Sequence, residues 1–288
     1  MLIAQITDVH LGFEPGNEDE LNRRRLDTAL AALRGCSPAP DLLLVTGDLT
    51  EGGARESYEQ LREALHGLPF PVHLAIGNHD RRDAFGAVFP DVPTSGGFVH
   101  YAVEDHPLRL LILDTVEEGR HGGAFCEVRA AWLTARLDEA PERPTLIVLH
   151  HPPAPTGLSW MTEDADAPWI RRLRACIEGR ANVAGLVCGH LHRPVVTAWA
   201  GTILAICPST APQVALDFAP IDPETPDNRP MIVAGPPAYA LHHWDGRALV
   251  THFAAADDAP VLARFTPKLQ PLLRRLAHEK KQASHPAR

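Results

Sequence analysis

Residues that commonly bind metal ions follow apolar runs at five points in this chain. Each run is short and continuous enough to be a buried strand, and each leads directly into histidine, aspartate or asparagine. One such segment would be weak evidence for a site, but five in series indicate a common one. The segments are Asp8-Val9-His10, Gly47-Asp48, Gly77-Asn78-His79-Asp80, His150-His151 and Gly189-His190-Leu191-His192.

The side chains in these segments predict a site for two metal ions. The candidate ligands are Asp8, His10, Asp48, Asn78, His150, His190 and His192. This set exceeds the four donors that one tetrahedral ion takes, and it suits two ions of higher coordination that share a carboxylate. Oxygen and nitrogen donors without thiolate favour Mn, Fe, Co, Ni or Zn. Two such ions about 3.5–4 Å apart polarise a phosphoryl group and generate hydroxide at neutral pH.

Each segment by itself also has an ordinary structural interpretation. His10 or His150 alone is typical of a hydrogen-bonded structural histidine, and Asp48 alone would serve as a helix N-cap. Gly77-Asn78 is a common turn dipeptide. The shared position after a strand favours the metal site over these alternatives. Outside the segments, the histidines are predicted to be structural or exposed, although Arg120-His121-Gly122-Gly123 is a candidate pocket edge.

The elements that carry the segments alternate between strand and helix. Apolar runs predict strands at residues 2–7, 41–46, 72–76, 146–149 and 183–187, each ending at one of the five segments. Apolar residues at helical spacing predict helices at 18–34, 55–65, 82–89, 127–137 and 169–177. Such alternation favours parallel pairing, and ligands gather at the carboxyl ends of parallel strands.

Strands without intervening helices dominate after His192, where hairpins are predicted at 195–206 and 239–253. A further pair of strands is predicted at 98–103 and 109–113. Residues 152–166 form a long loop, predicted to be a pocket wall. Residues 207–235 are rich in proline and predicted to be irregular. We therefore expect two packed sheets, the first mostly parallel, with helices on the outer faces.

Composition narrows the class of protein. The chain has 288 residues, a net charge of -9 and 45% hydrophobic residues, which predicts a globular protein of one or two domains. The acidic balance disfavours a nucleic-acid partner, which needs a basic face. The five cysteines are scattered without a C-x-x-C pair, as is typical of reduced thiols in the cytosol. No leader or membrane-length apolar run is visible, so we predict a cytoplasmic location and no membrane partner.

Together the segments resemble the signature of the calcineurin-like metallophosphoesterases. The resemblance covers about residues 1 to 200 and rests on Asp8-x-His10, Gly47-Asp48, Gly77-Asn78-His79-Asp80, His150-x-Pro152 and Gly189-His190-x-His192, in that order. More narrowly, residues 112–133, His150-His151-Pro152-Pro153 and residues 207–214 are similar to bacterial class III cyclic nucleotide phosphodiesterases and glycerophosphodiesterases.

The resemblance implies a role for each site residue. Asp8, His10 and His192 would hold one metal ion. Asn78, His150 and His190 would hold the other, and Asp48 would bridge both together with a water or hydroxide. His79 and Asp48 are the implied catalytic residues, with His79 contacting the phosphoryl oxygen or protonating the leaving group. His151 is not expected to be a ligand.

The same resemblance implies an α/β fold, a four-layer α/β/β/α sandwich of two mixed sheets flanked by helices. Residues 1–265 would form a single domain, with 207–237 as a candidate cap or homo-oligomerisation segment, and 266–288 a basic helix and tail. The implied activity is hydrolysis of a small phosphodiester, a cyclic nucleotide or glycerophosphodiester, by in-line attack of metal-bound hydroxide. The alternatives are a phosphomonoesterase, or a metal-stabilised interaction module without turnover.

Overall fold

The computed structural model describes residues 1–257 and 259–284, with the backbone alone from 281 to 284. The strands are β1 Leu2–Ile6, β2 Leu42–Thr46, β3 Val72–Ala75, β4 Tyr101–Val103, β5 Arg109–Ile112, β6 Thr145–Val148, β7 Val183–Cys188, β8 Val195–Trp199, β9 Thr202–Ile206, β10 Gln213–Val214, β11 Ile232–Val233, β12 Ala238–Trp244 and β13 Leu249–Ala255. The helices are α1 Leu21–Arg34, α2 Arg55–Leu65, α3 Arg82–Val88, α4 Glu127–Asp138, α5 Pro168–Ile177 and α6 Gln270–Ser284.

The chain divides into two compact units, Met1–Ala256 and the residues from Asp257 onward. The first unit contains two large sheets, with strand orders β13-β12-β1-β2-β3 and β4-β5-β6-β7-β9-β8. Strands β1 to β3 run parallel, as do β5, β6, β7 and β9. The remaining pairings in both sheets are antiparallel, so both sheets are mixed.

Alternation along the apolar strands explains the layers of this unit. In β2, Leu42 and Leu44 belong to a core between the two sheets. Leu43 and Val45 belong to a second core, beneath helices α1 to α3. Successive side chains of a strand point to opposite faces, so a strand that is apolar on both faces needs cover on both. Helices α4 and α5 cover the outer face of the second sheet in the same way, and the predicted four-layer sandwich is confirmed.

The first sheet is less parallel than predicted. Two of its four pairings, β1 with β12 and β12 with β13, are antiparallel. The chain returns to this sheet after completing the second, and it places its last hairpin beside β1, with Ile3 opposite His242. This long-range pairing has no local signal in the sequence.

Three local predictions also differ from the structure. Helix α1 begins at Leu21 rather than residue 18, because the Glu20 carboxylate accepts hydrogen bonds from the backbone N–H groups of Gly12 and Glu14 and holds 12–20 as a loop. The segment predicted to be irregular contains the antiparallel ribbon β10–β11. The predicted strand at 98–103 begins only at Tyr101.

The second unit contains α6, within the region predicted as a basic helix and tail. Residues 285–288 of that predicted tail lie outside the described part of the chain. The division into 1–265 and 266–288 and the role of 207–237 stay predictions. Among the described helices, none has both the length and the apolar character needed to cross a membrane.

A buried polar chain joins the two large sheets. Gln5 of β1 donates through Nε2 to Thr46 Oγ1 (2.8 Å) in β2 and to the carbonyl of Cys188 (3.0 Å) in β7. Its Oε1 accepts from His242 Nε2 at 2.9 Å, and Thr251 Oγ1 donates to His242 Nδ1 at 2.8 Å. Both His242 nitrogens are therefore used by a neutral ring. Burial, with no compensating charge, lowers the pKa of His242 from 6.5 to about 4.

The low pKa of His242 predicts a loss of stability in acid. The unfolded chain takes up a proton below pH 6.5, whereas the folded chain does so only below about 4, so stability falls as pH drops through this window. The glutamine in His242→Gln stays neutral at every pH. We therefore expect the free energy of unfolding to fall by about 2.5 kcal/mol less in this variant than in wild type when the pH is lowered from 7.5 to 4.5. Urea unfolding at both pH values measures this difference, in which effects common to both proteins cancel. Equal losses would contradict a neutral buried His242.

Candidate metal centre

The predicted ligands come together although they come from both sheets. Each lies just beyond the end of a strand: Asp8 and His10 follow β1, Asp48 follows β2, Asn78 follows β3, His150 follows β6, and His190 and His192 follow β7. Six of the seven are classed as buried and His192 is partly buried. The sequence predicted one shared site for these strand ends, and the packing of the two sheets is what brings their edges together.

Backbone strain is concentrated at this centre. Of the seven non-glycine residues with positive φ in the described chain, five are predicted ligands: Asp8, His10, Asp48, His190 and His192. The left-handed region disfavours residues with a Cβ, and such strain persists only where the surrounding structure enforces it. The backbone turns sharply after β1, β2 and β7 and thereby directs the polar side chains of these segments into one space.

Two glycines allow the loops to approach one another. A Cβ on Gly77 would lie 2.2 Å from Asp48 Oδ1 and 2.4 Å from the Asp48 nitrogen. A Cβ on Gly189 would lie 1.9 Å from Thr7 Oγ1 and 2.9 Å from Asp8 Oδ2. Neither separation is tolerable, so side chains are excluded at both positions and the strand ends can meet.

One half of the centre is formed by Asp8, His10 and His192. The Nε2 atoms of His10 and His192 are 3.2 Å apart. His192 Nε2 lies 3.5 Å from Asp8 Oδ1, and His10 Nε2 lies 3.7 Å from Asp48 Oδ2. The donor atoms of Asp8, His10 and His192 therefore converge on one small space.

The other half is formed by Asn78, His150 and His190. Asn78 Oδ1 lies 3.0 Å from His190 Nδ1 and 3.2 Å from His150 Nε2. His150 Nε2 is also 3.2 Å from Asp48 Oδ2. Asp48 Oδ2 thus faces a histidine of each half, and the carboxylate of Asp48 lies between the two groups.

The outward ring nitrogen of each histidine is fixed by an acceptor. His10 Nδ1 bonds to Glu51 Oε2 at 2.7 Å. His150 Nδ1 and His192 Nδ1 each donate to a carbonyl at 2.8 Å, those of Thr46 and Pro212. His190 is reversed, since its Nε2 donates to the Met161 carbonyl at 3.1 Å and its Nδ1 faces inward. A proton on the outer nitrogen leaves a lone pair on the inner one, the form in which histidine binds a metal.

The electrostatics of the centre demand positive charge. Burial lowers the pKa of His150, but the nearby Asp48 charge and hydrogen bond, with Asp8, raise it to about 9. Burial likewise opposes protonation of His10, yet the bond to Glu51 and the charges of Asp48 and Asp8 raise its pKa. Burial and neighbouring histidines hold the pKa of His190 well below its usual value. Carboxylates therefore draw positive charge into a space where a neutral imidazole also offers a lone pair.

These contacts fit metal ions. The inward Nε2 atoms of His10 and His192 lie 3.2 Å apart, a separation that suits two ligands of one metal ion. Ligand atoms bound at about 2.1 Å to one ion lie roughly 3–4 Å from each other, as the donor atoms do in both halves. The donor set contains carboxylate, amide and imidazole but no thiolate, which suits first-row divalent metals.

His79 lies next to two of the predicted ligands, and its ring offers a nitrogen within 4.8 Å of ligand atoms of His10 and Asp48. Its backbone N–H donates to Asp48 Oδ1 at 2.9 Å, and its ring packs edge-on against His10 with centroids 4.7 Å apart. Its Nδ1 donates to the Glu51 carbonyl at 2.8 Å. The His79 side chain is about one-third exposed, at 32%, so its ring reaches the cavity above the centre.

Sequence reasoning assigned no role to two carboxylates that organise the centre. Glu51 binds His10 through its side chain and His79 through its carbonyl. Asp80 is completely buried and accepts hydrogen bonds from the Gly77 and Leu49 N–H groups and from Tyr58 O–H, at 2.8, 3.1 and 2.9 Å. Asp80 thereby ties the loop after β3 to the loop after β2. The signal for Glu51 was an acidic residue three positions after Asp48, and Asp80 ended a segment already singled out.

Two further histidines border the centre. His151 bonds through Nδ1 to Thr115 Oγ1 at 2.8 Å, and its buried Nε2 has no hydrogen-bond partner among the described residues. Burial and the charge of His150 hold its pKa far below the usual value. His121 lies against His190 with ring centroids 4.6 Å apart and lines the cavity, where the sequence indicated a pocket edge.

Comparison with known proteins gives the class. Residues 1–194 match the family model for calcineurin-like phosphoesterases, which is about two thirds of the chain, and the chain therefore belongs to this family. The family uses divalent metal ions, in agreement with the His and Asp clusters of this centre.

Two curated relatives and one solved structure illustrate the likeness. A probable cyclic nucleotide phosphodiesterase from Rhodopseudomonas palustris is 38% identical over 236 residues, covering 76% of this chain and 81% of the relative. The glycerophosphodiester phosphodiesterase GpdQ of Enterobacter lignolyticus is 31% identical over 261 residues, covering 88% and 90%. A dimetal phosphatase from Danio rerio has a TM-score of 0.59 at 15% identity, covering 89% of this chain and 96% of that one. The structural likeness supports the fold.

The close approach at Gly77 predicts that one added methyl group disrupts the centre. We expect Gly77→Ala to lower metal content and to destabilise the fold by about 2 kcal/mol or more, because the methyl would collide with Asp48. Elemental analysis and thermal unfolding measure both effects. Gly86→Ala in α3 is the matched control, since its methyl meets no atom within 4 Å and alanine favours a helix. Equal behaviour of the two variants would contradict this account.

Proposed function

We propose that this protein is a metal-dependent hydrolase that cleaves small phosphodiesters at a two-metal centre. The observation that carries the proposal is the arrangement of six oxygen and nitrogen donors, in two groups of three, around the carboxylate of Asp48. Asp8, His10 and His192 would hold one ion. Asn78, His150 and His190 would hold the other, with Asp48 as the bridge. Mn, Fe, Co, Ni and Zn all suit this donor set.

Hydrolysis adds water across one P–O bond of the diester. The water oxygen forms a bond with phosphorus while the bond from phosphorus to the leaving alcohol breaks. One proton of the water ends on the alcohol, and the other is released because the product is a phosphomonoester dianion. When bound, the two metal ions supply positive charge to the phosphoryl oxygens and lower the pKa of the water.

The side chains of this chain position the reaction. His79, with Nδ1 fixed on the Glu51 carbonyl, has Nε2 as the nitrogen that can contact a phosphoryl oxygen or protonate the leaving alcohol. The outward acceptors fix the ring orientation of the histidine ligands. The arrangement is preorganised, so the donors need not move when charge develops on phosphorus.

The relatives and the cavity support a small diester as substrate. Relatives are named as cyclic nucleotide and as glycerophosphodiester phosphodiesterases, and both substrate classes are small diesters. The cavity above the centre has a volume of about 460 Å³, within the range of small-molecule sites. A cytoplasmic location completes the proposal, together with a cap formed by residues 207–237, of which Val214, Met231 and Ile232 line the cavity. Retention of all seven donors and of His79 argues against a module without turnover.

The proposal predicts a preference for diesters over monoesters. We expect the metal-reconstituted protein to hydrolyse bis(p-nitrophenyl) phosphate faster than p-nitrophenyl phosphate, and Asp48→Ala to lose both metal and turnover because the bridge is absent. Release of p-nitrophenolate and elemental analysis measure the two outcomes. A preference for the monoester would indicate a phosphatase. Absence of turnover with two metals bound would favour the interaction module.

The role of His79 predicts a loss of rate without a loss of metal. We expect His79→Ala to lower kcat for diesters by about 10²–10⁴-fold, the range for general acid catalysis, with metal content near that of wild type. The control is His243→Ala, on an exposed position of β12, which should keep both values. Loss of both metals in His79→Ala would contradict its assignment as a group that acts on the substrate.

A further inference from the structure

An apolar surface borders the cavity above the metal centre. We call it the apolar wall and define it as Phe13, Leu21, Val214, Met231 and Ile232. These side chains line the same cavity as His10, Asp48, His79, His190 and His192. Several are unusually exposed for their type, with 64% for Phe13 and 61% for Met231. Val214 is buried beneath them. Exposed apolar side chains that line one cleft mark a binding surface.

Phe13 is exposed on a loop that is held in place. The Glu20 carboxylate, itself buried, accepts the Gly12 N–H at 2.6 Å and the Glu14 N–H at 2.7 Å. Gly12 has φ of +85°, and a Cβ there would lie 2.2 Å from Ser57 Oγ. The backbone on both sides of Phe13 is therefore fixed, so its exposure is built into the fold.

Met231 and Ile232 project from a ribbon that is joined to the metal centre. Ile232 pairs with Val214 in the β10–β11 ribbon, and the Ala215 N–H donates to the Met231 carbonyl at 2.8 Å. The carbonyl of Pro212, just before β10, accepts from His192 Nδ1 at 2.8 Å. The ribbon is thus attached through Pro212 to the candidate metal ligand His192. This attachment fixes the distance between this side of the wall and the metal centre, where the phosphoryl group would bind.

Among the aspartate, glutamate, lysine and arginine side chains, only carboxylates line this cavity. Apart from Asp48 at the centre, its charged lining residues are Glu14 and Glu51, and the described lining contains no lysine or arginine. The metal ions would balance one phosphodiester anion. A second phosphate or a carboxylate on the substrate would find no cation here and would be repelled by Glu14.

We propose, on the basis of the diesterase function above, that the substrate is a singly charged phosphodiester in which one alcohol is an alkyl or aryl group. The phosphoryl group would lie at the metal centre, and the apolar group would pack against the apolar wall. A glyceryl group gains little there, because burying its hydroxyls against apolar side chains removes their hydrogen bonds to water.

The substrate fits this wall better than a second protein chain does. Residues of the apolar wall and of the metal centre line one continuous cavity. A protein seated across the wall would cover the entrance to the centre. The occupant must therefore be small enough to fill the cavity of about 460 Å³ and to place its phosphoryl group at the centre.

The test uses a series of p-nitrophenyl diesters that share one leaving group and differ in the second alcohol. The metal-loaded protein is assayed with methyl, n-butyl, phenyl and glyceryl p-nitrophenyl phosphate. We expect kcat/KM to rise about tenfold from methyl to n-butyl, since each buried CH₂ favours binding, and the glyceryl ester to stay near methyl. Calorimetry with the unreactive dibutyl and dimethyl phosphates should show tighter binding of the dibutyl ester, with a negative heat-capacity change.

Matched variants connect this selectivity to the wall. Ile232→Thr should lower the butyl-to-methyl ratio by at least about threefold because it removes apolar contact area. Val196→Thr is the control, because Val196 is 56% exposed on β8, close to the 49% of Ile232, and does not line the cavity. The control should keep the wild-type ratio.

The outcomes separate this inference from the proposed function. Hydrolysis of the methyl diester with no gain for butyl or phenyl, or a preference for glyceryl, would overturn the inference and leave the diesterase in place. If the protein hydrolyses none of the diesters, both the inference and the proposed function are overturned. The last measurement is the oligomeric state of wild type and of Met231→Gln by analytical ultracentrifugation. A dimer that Met231→Gln dissociates, with an unchanged butyl-to-methyl ratio, would make the wall an interface between copies and defeat the inference.

Discussion

The structure depends on one electrostatic constraint. Carboxylate oxygens and the lone pairs of imidazole nitrogens repel one another unless positive charge lies among them. Carboxylate oxygens and inward imidazole nitrogens approach to between 3 and 4 Å in two adjoining groups, and positive charge among them makes that approach favourable. Three features of the fold hold these groups close together. They are the left-handed backbone at several ligands, the glycines at the closest approaches, and the buried Asp80, which ties two loops together. The metal centre and the loops around it are therefore expected to be thermodynamically linked.

The two sheets serve the centre in different ways. The first provides Asp8, His10, Asp48 and Asn78, which include all the oxygen donors, and the second provides His150, His190 and His192. Gln5 connects the sheets below the centre through Thr46 and the carbonyl of Cys188. Because each half of the centre draws on both sheets, neither sheet could form it alone. Rigid packing between the sheets fixes the strand ends, and so holds the short segments that carry the donors at constant separations.

The cavity has two parts of different character, a base formed by charged and polar side chains and a rim formed largely by apolar ones. In the proposed function, the anionic donors at its base would hold cations and, through them, a phosphoryl group. The acidic and apolar rim offers no cation for a further anionic group among the described lining residues. The predicted ligands at the base of the cavity all lie within residues 1–194, which match the calcineurin-like phosphoesterase model. The rim is built from the loop at Phe13 and the ribbon at Met231.

The amino-acid sequence by itself determined the chemistry and most of the elements. Apolar strands ending in Asp, Asn or His specify both a buried strand and a polar terminus, and these signals are local. The roles of Glu51 and Asp80, the antiparallel place of β12 beside β1, and the apolar wall were decided by the tertiary structure. Each depends on residues far apart in the chain, such as Phe13 and Met231 or Ile3 and His242. Local pattern carries no information about such pairs, because their contact is set by how the two sheets and their loops pack.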